Sequence, residues 1–326
     1  MRVAILGATG AVGTTMLRVL EERATPIDEI VPLASARSAG RTVTWRGKEW
    51  QVREPSAEAF RGCAVALFSA GATRSREWAP IATAEGAVVV DNSSAWRMDP
   101  DVPLVVPEVN GARVRDAARG IIANPNCVTT QLVLALEAIR RVAGLRRVVA
   151  SSYQSVSGAG QKGVAALEAE LAGRAVDGGS PFPAPIAGNV IPCIGASVET
   201  GWTEEEEKVR HESRKILQLP ALEITATCVR VPVAIGHAVA AAVEMERPIT
   251  VEEARHALAA MPGLAVDDSA HGPLPRDVAG HDVVRVGRVR QDPDSPRILH
   301  LWIVGDNLRK GAATNAVQIA EQVLDG

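Results

Sequence analysis

Cys127 closes the tetrapeptide Asn124-Pro125-Asn126-Cys127, after the apolar stretch Ile121–Ala123 and before Thr129–Arg140, a run with helical periodicity. Pro125 disfavours helix in the residue before it, so the helix is expected to open at or near Cys127. A thiol at that position gives up its proton more readily. The free N–H groups of a first helical turn can also receive negative charge on a nearby oxygen. The chemistry this arrangement suits is covalent acyl transfer through a thioester. The competing reading, a small buried hydrophobe, stands beside it for Cys127 and is the one kept for Cys63, Cys193 and Cys228. The four cysteines are widely spaced and form no CxxC pair or Cys/His cluster, so no metal site and no disulfide framework is expected.

A thiol nucleophile needs a proton partner. His211 and His256 lie in charged helical stretches and read as surface residues, and His271 and His281 lie in Gly/Pro-rich loops. His237 follows Ile235-Gly236 and opens an apolar strand, while His300 sits inside one. Residue type and context leave the choice between His237 and His300 open.

A second chemical signal stands at the N-terminus. Gly7-Ala8-Thr9-Gly10-Ala11-Val12-Gly13 ends an apolar strand and opens a helix, with GxxGxxG spacing. Glycines there allow a tight turn and close approach of backbone to a pyrophosphate, and the helix N-terminus offers donors and partial positive charge. The plain alternative is a glycine-rich strand-to-helix turn. The second strand runs into Ser35-Ala36-Arg37-Ser38 with no acidic residue to hold a ribose 2′-hydroxyl. Arg37, flanked by Ser35 and Ser38, suits a 2′-phosphate, so NADP is favoured over NAD.

These groups need elements to hold them. Short buried strands are expected at Val3–Leu6, Ile30–Ala34, Val65–Ser69, Ala87–Asp91, Leu104–Val106 and Ile121–Ala123, alternating with helices such as Val12–Leu20 and Ser75–Glu85. That alternation predicts an α/β, Rossmann-like doubly wound parallel sheet, with a hairpin inserted at Arg41–Val52 around Arg46-Gly47. Beyond residue 128, longer strands are expected at Arg147–Ser155, Glu223–Val231, His237–Glu246, Asp282–Arg290 and Arg297–Val304. Helices at Lys162–Leu171, Glu204–Leu217 and Val251–Ala260 fit between them, giving an α+β domain with a mixed sheet. A chain of 326 residues is long for one core. Its net charge of −3 gives no sign of a polyanionic partner, so no nucleic acid is expected. No leader and no apolar run of membrane length is present, so no membrane partner and a cytoplasmic location are expected.

Together the motifs resemble the aspartate-semialdehyde dehydrogenase family along nearly the whole chain. The similarity is carried by Gly7–Gly13, Ser69-Ala70-Gly71, Asn92–Arg97 (NSSAWR), Pro107–Asn110 (PEVN), Asn124–Cys127, Tyr153–Gly160 (YQSVSGAG), Glu205–Lys208, Cys228–Pro232 (CVRVP), His237 and Gly305–Asn315 (GDNLRKGAATN). The resemblance implies His237, seven residues past Arg230, as the acid/base, and Gln154 as the residue orienting substrate near the thiol. It implies Arg230 as a bidentate partner of the substrate α-carboxylate, Glu205 as acceptor of its ammonium, and Arg97, Asn126 and Lys208 as phosphate ligands. Taken without it, Glu205 and Lys208 read as part of a solvated charged helix, and Arg97 as a turn cation. Strand-interior Arg230, flanked by Val229 and Val231, demands a partner either way.

For the cofactor, the resemblance implies Ser157 and Gly158 beside the nicotinamide and Asn307 near the C-terminus, where the chain returns to its first domain. The expected domains are therefore 1–127 plus 306–326 for NADP and 128–305 for catalysis and dimerisation. The implied activity is reductive dephosphorylation of L-aspartyl 4-phosphate to aspartate semialdehyde, with phosphate released, in lysine, threonine, methionine and diaminopimelate biosynthesis by a homodimer or homotetramer. Rival readings are an N-acetyl-γ-glutamyl-phosphate reductase-like enzyme and a catalytically silent NADP-binding paralogue. The chain departs from many relatives in a shorter Gly160–Gly188 stretch and in Gly188, where a Phe is frequent.

Overall fold

Val3, Ala4 and Ile5 are fully buried, as a strand covered on both faces requires. The computed structural model, which describes residues 1–325, places them in β1 (Arg2–Leu6) at the interior of a five-stranded sheet. Its other strands are β2 (Glu29–Leu33), β5 (Val65–Phe68), β6 (Val88–Asp91) and β7 (Ile121–Ala123), all parallel, in the order β2-β1-β5-β6-β7. The hairpin forms β3 (Thr42–Trp45) and β4 (Lys48–Gln51). Arg46 and Gly47 turn it with φ of +50° and +70°, the left-handed pair that a two-residue hairpin loop prefers.

The strand expected at Leu104–Val106 is not one. Only Leu104 bridges to Ala123, because Pro107 begins a short helix, Pro107–Asn110, directly after it. The helix Thr314–Leu324 packs its apolar side, including Ala316, Val317, Ile319 and Ala320, into the same core as β1 and β5.

The chain divides into two compact units: one of Met1–Asn126 with the segment from Ala312 onward, and one of Cys127–Gly311. The second unit holds a six-stranded mixed sheet in the order β11-β12-β13-β10-β8-β9. Its strands are β8 (Arg147–Gln154), β9 (Glu223–Arg230), β10 (His237–Glu244), β11 (Leu264–Asp267), β12 (Val284–Gln291) and β13 (Ile298–Gly305). Strand β11 has no counterpart in the sequence reading; at four residues it is too short for alternation to show. β8 and β9 are parallel, and β10 runs antiparallel to both β8 and β13.

Along β8, Val148, Ala150, Ser152 and Gln154 are buried, while Arg147, Val149 and Tyr153 are exposed. One face is therefore core, as the period of two dictates. The helices Cys127–Ala143, Glu204–Leu217 and Val251–Ala259 belong to this unit. The first is buried nearly all round, and its buried Glu137 is held by Arg140 and Arg141 at 2.6 and 2.8 Å.

Candidate active site

Strand register assembles the site. Gln154, the last residue of β8, pairs with Arg230, the last residue of β9, and both point to the buried face. His237 begins β10 opposite Gly305, the last residue of β13. Four strands thus present Gln154, Arg230, His237 and Gly305 at one end of the sheet.

Cys127 is the first residue of its helix and is half-buried. Gly311 lies against it: a Cβ on Gly311 would stand 3.0 Å from the Cys127 Cβ and 3.3 Å from its backbone oxygen. Arg230 is 7% exposed, and its Nη1 donates to the Ser155 carbonyl at 2.7 Å. Burial lowers the Arg230 pKa, and attraction from Cys127 and Glu205 offsets only part of that.

His237 is completely buried. Its Nδ1 accepts the Ser155 backbone N–H at 3.0 Å, with Ser155 Oγ at 3.1 Å. Its Nε2 has no hydrogen-bond partner among the described residues. Burial first, and the Arg230 charge second, push its pKa down to about 3. Asn307 braces this arrangement. Its Oδ1 accepts from Ser155 Oγ (3.0 Å), Ser157 Oγ (3.2 Å) and the Gly236 N–H (2.9 Å), and its Nδ2 donates to Ser157 Oγ (3.0 Å). Gly158 flanks the pair: a Cβ there would meet Arg230 Nη1 at 2.6 Å and His237 Nε2 at 3.4 Å. The other strand histidine, His300, pairs with Asp292 at 2.8 Å and is half-exposed.

Glu205 is buried despite its run of four glutamates. Thr203 and Glu206 form a capping box that starts the Glu204–Leu217 helix. Glu206 also accepts the Cys228 N–H at 3.1 Å, which ties the helix to β9. Held this way, Glu205 Oε1 accepts from Gln154 Nε2 at 3.3 Å, and its Oε2 pairs with Lys208 at 3.4 Å. The solvated-face reading fits Glu204, which is exposed, and fails for Glu205.

In the N-terminal unit, each glycine of the Gly7–Gly13 loop has a separate duty. Gly7 has φ +92°, and a Cβ on it would lie 2.4 Å from the Ser69 carbonyl oxygen. A Cβ on Gly13 would lie 2.1 Å from the Gly7 oxygen. Gly10 is the N-cap of the Ala11–Glu22 helix without a side chain, and its N–H closes the turn onto the Gly7 carbonyl at 2.9 Å, with Thr9, Ala11 and Val12 beside it. The loop is fastened to the end of β2 by Gly7 N–H to Leu33 O at 2.8 Å. Just beyond, Ser35 and Arg37 are exposed and Ser38 half-buried. Arg97, 8% exposed, donates through Nε to Asn124 O (2.9 Å) and through Nη2 to Asn92 O (2.6 Å), bracing the segment that leads to buried Asn126.

Two supporting residues were not singled out from sequence. Ser155 fixes the His237 ring. Asn315, fully buried, donates to Val105 O (2.9 Å) and Asn124 Oδ1 (2.7 Å), behind the Asn124–Asn126 turn. A polar residue at the head of an apolar helix was the available signal for Asn315. Cys63 and Cys228 are buried, with the Cys228 thiol pushed up to about 12 by burial. Cys193 is exposed, against the expectation of a buried hydrophobe, because its loop lies outside any strand or helix. Gly188 has φ +75°, a conformation that a Phe would strain. Among the described residues no His/Cys/Asp/Glu group is arranged to hold a metal, and no helix is long and apolar enough to cross a membrane.

Residues 2–117 match the family model for the semialdehyde dehydrogenase NAD binding domain, and residues 136–310 match that for the semialdehyde dehydrogenase dimerisation domain. The chain is 51% identical to the aspartate-semialdehyde dehydrogenase of Aquifex aeolicus, over 99% of this chain and 98% of that one. It is 47% identical to that of Legionella pneumophila, over 98% and 95%. The crystal structure of aspartate semialdehyde dehydrogenase II complexed with ASA from Vibrio cholerae is similar with a TM-score of 0.95 at 45% identity, covering 99% of this chain and 98% of that one.

Proposed function

This chain belongs to the aspartate-semialdehyde dehydrogenase family, and from that premise we propose that it converts L-aspartyl 4-phosphate to L-aspartate 4-semialdehyde, and the reverse, through a thioester on Cys127. The observation that carries the reading is a half-buried thiol at a helix N-terminus, electrostatically coupled to Arg230 in the same unit as Gln154, Glu205 and His237.

The Cys127 thiolate attacks the acyl carbon, and phosphate leaves with the bonding pair. Arg230 holds the substrate α-carboxylate and Glu205 takes the ammonium, and the family resemblance assigns phosphate binding to Lys208 of the second unit and to Arg97 and Asn126 of the first. Gln154, tied to Glu205, orients the substrate beside the thiol. His237 presents Nε2 to the carbonyl oxygen.

A nicotinamide cofactor fits the N-terminal unit: side chains at Gly7 and Gly13 would collide with backbone, and Gly10 leaves the helix N-terminus open. When bound, it supplies the hydride that reduces the thioester, or accepts it in reverse. Exposed Arg37 between Ser35 and Ser38, with no acidic neighbour in that turn, supports NADP over NAD. Ser157, Gly158 and Asn307 are the residues of the second unit assigned to the nicotinamide end. The match to a dimerisation domain and the exposed Val149 and Tyr153 on the open sheet face support a homodimer.

The test is phosphate-dependent reduction of NADP with aspartate semialdehyde and, in parallel, N-acetylglutamate semialdehyde. Turnover with the first alone, lost in Cys127→Ala, is the expected result. Turnover with the acetylated substrate alone would move Glu205 out of substrate binding, and no turnover in protein that binds NADPH would overturn the activity.

A further inference from the structure

We propose that Gln131 is a positioning residue for the nucleophile: its side-chain amide locks the helix that begins at Cys127 onto the end of β13 and so sets where the thiol stands. The inference rests on the activity proposed above for the identity of the nucleophile, and it concerns a residue outside the groups that touch substrate or cofactor.

Gln131 follows Cys127 by four residues in the Cys127–Ala143 helix, which puts the two on one face, about 6 Å apart along the axis. It is completely buried. Its Nε2 donates to the Gly305 carbonyl at 3.1 Å. A carbonyl can only accept, so the orientation of the amide is fixed. The approach is close enough to demand glycine at the partner position. A Cβ on Gly305 would stand 2.9 Å from Gln131 Cδ and 3.1 Å from its Cγ. Gly305 ends β13 and pairs with the first residue of β10. The bond therefore runs from the nucleophile's helix to the strand ends that carry the site.

The same strand end leads into the segment that touches Cys127. Asp306 Oδ1 accepts the N–H groups of Leu308 and Arg309 at 2.8 and 3.0 Å, and its Oδ2 accepts that of Gly280 at 2.7 Å. Arg309 pairs with Asp282 at 2.8 Å. The Gly311 N–H returns to the Asp306 carbonyl at 3.0 Å, a turn one residue wider than that of an α-helix. Gly311 ends this braced turn against the Cys127 backbone and Cβ. The contacts close into a ring: Cys127, down one helical turn to Gln131, across to Gly305, along the turn to Gly311 and back to Cys127. The Gln131 amide is the direct hydrogen bond that ties the helix into this ring. Without it the helix is free to shift along its axis against the turn.

Filling space does not account for an amide here. Gln131 Oε1 is buried with no hydrogen-bond partner among the described residues, and a buried acceptor left bare weakens a fold. A methionine of similar size would fill the same space without that loss. What methionine lacks is the N–H for Gly305. The amide therefore contributes placement, of the helix and with it of the attacking sulfur.

Gln131→Met in the full-length protein separates placement from packing. In it, kcat with aspartate semialdehyde is expected to fall about ten- to hundredfold, the effect of displacing a reacting atom by up to an ångström. KM for NADP should hold, and the midpoint of denaturant unfolding should stay level or rise. Alkylation of Cys127 by iodoacetamide, followed to its plateau at high pH, should become severalfold faster as the thiol loosens from Gly311. An unchanged kcat overturns the proposal, and so does a lost kcat accompanied by a lowered midpoint, the mark of a plain packing role. Alkylation needs no turnover. If the wild-type protein proves inactive, the activity reading fails by itself, while an unchanged plateau rate in Gln131→Met still overturns the placement and a faster one upholds it. Gly305→Ala is the second variant, since its methyl pushes the amide off its acceptor with Gln131 still present. It is expected to lose kcat as Gln131→Met does, and the double variant should be no slower than the slower single one. Additive losses, or a normal kcat in Gly305→Ala, overturn the link between the two residues.

Discussion

Glu205 Oε2 and Lys208 Nζ hold each other at 3.4 Å, one helical turn apart. In the proposed mechanism the two serve opposite ends of the substrate, ammonium and phosphate, and substrate entry is expected to exchange one ion pair for two. Glu205→Ala is expected to raise KM for aspartate semialdehyde by about ten- to hundredfold with a smaller change in kcat, the signature of lost substrate binding. It is also expected to change the KM for phosphate, because Lys208 loses its partner. Steady-state kinetics varying each substrate checks both, and an unmoved phosphate KM would separate Lys208 from the anion.

Arg37 is expected to read the 2′-phosphate. Its replacement by Ala removes a charge-assisted contact worth roughly 1.5–3 kcal/mol, so KM for NADP should rise about ten- to hundredfold while that for NAD stays put. Parallel saturation curves with the two cofactors decide this. Equal effects on both would return Arg37 to the status of a loop cation.

Gly311 is expected to be intolerant of a methyl group. With a Cβ arriving 3.0 Å from the Cys127 Cβ, Gly311→Ala must push the first turn of the nucleophile's helix. Displacement of a reacting group by an ångström costs up to about a hundredfold in rate. The variant should bind NADPH normally, alkylate slowly at Cys127 and lose kcat. Normal alkylation together with normal kcat would show that the turn absorbs the methyl.

Buried neutral His237 carries a stability signature. Its folded pKa, about 3, lies below the unfolded value of 6.5. Between those values the unfolded chain binds the extra proton, so the native state loses ground as pH falls through 6.5 and stops losing it only near 3. His237→Gln escapes this penalty. Its stability relative to wild type should improve by about 2 kcal/mol between pH 7 and pH 5, as measured by denaturant unfolding at the two values. A constant difference would mean that the ring takes up a proton in the folded protein.

What was legible in the sequence was local. The glycine loop, the Arg46-Gly47 hairpin and the helix beginning at Cys127 each announce themselves within a few residues, because turn geometry and helix starts are decided over that range. The pairing of Gln154 with Arg230 is a matter of strand register between segments far apart in the chain, and nothing in either stretch specifies it. The choice of His237 over His300 likewise came only from family resemblance. Their contrasting burial settles the environment of each ring, and both environments arise from tertiary packing. Glu205 misleads for the same reason: four successive glutamates look like a solvated helix face until the contact of Glu206 with β9 turns its neighbour inward. Asn315 was passed over because its two acceptors lie on segments more than a hundred residues away.

The helix Thr314–Leu324 completes the core of the N-terminal unit, while the second unit is one uninterrupted stretch of chain. On the ribosome these two facts set an order. Residues 127–311 have all of their own partners once they have emerged, whereas the first 126 must wait, with the apolar side that Ala316 and Val317 will cover still open, until the whole of the second unit has been translated. The earlier-made half is therefore expected to be the later to complete its core.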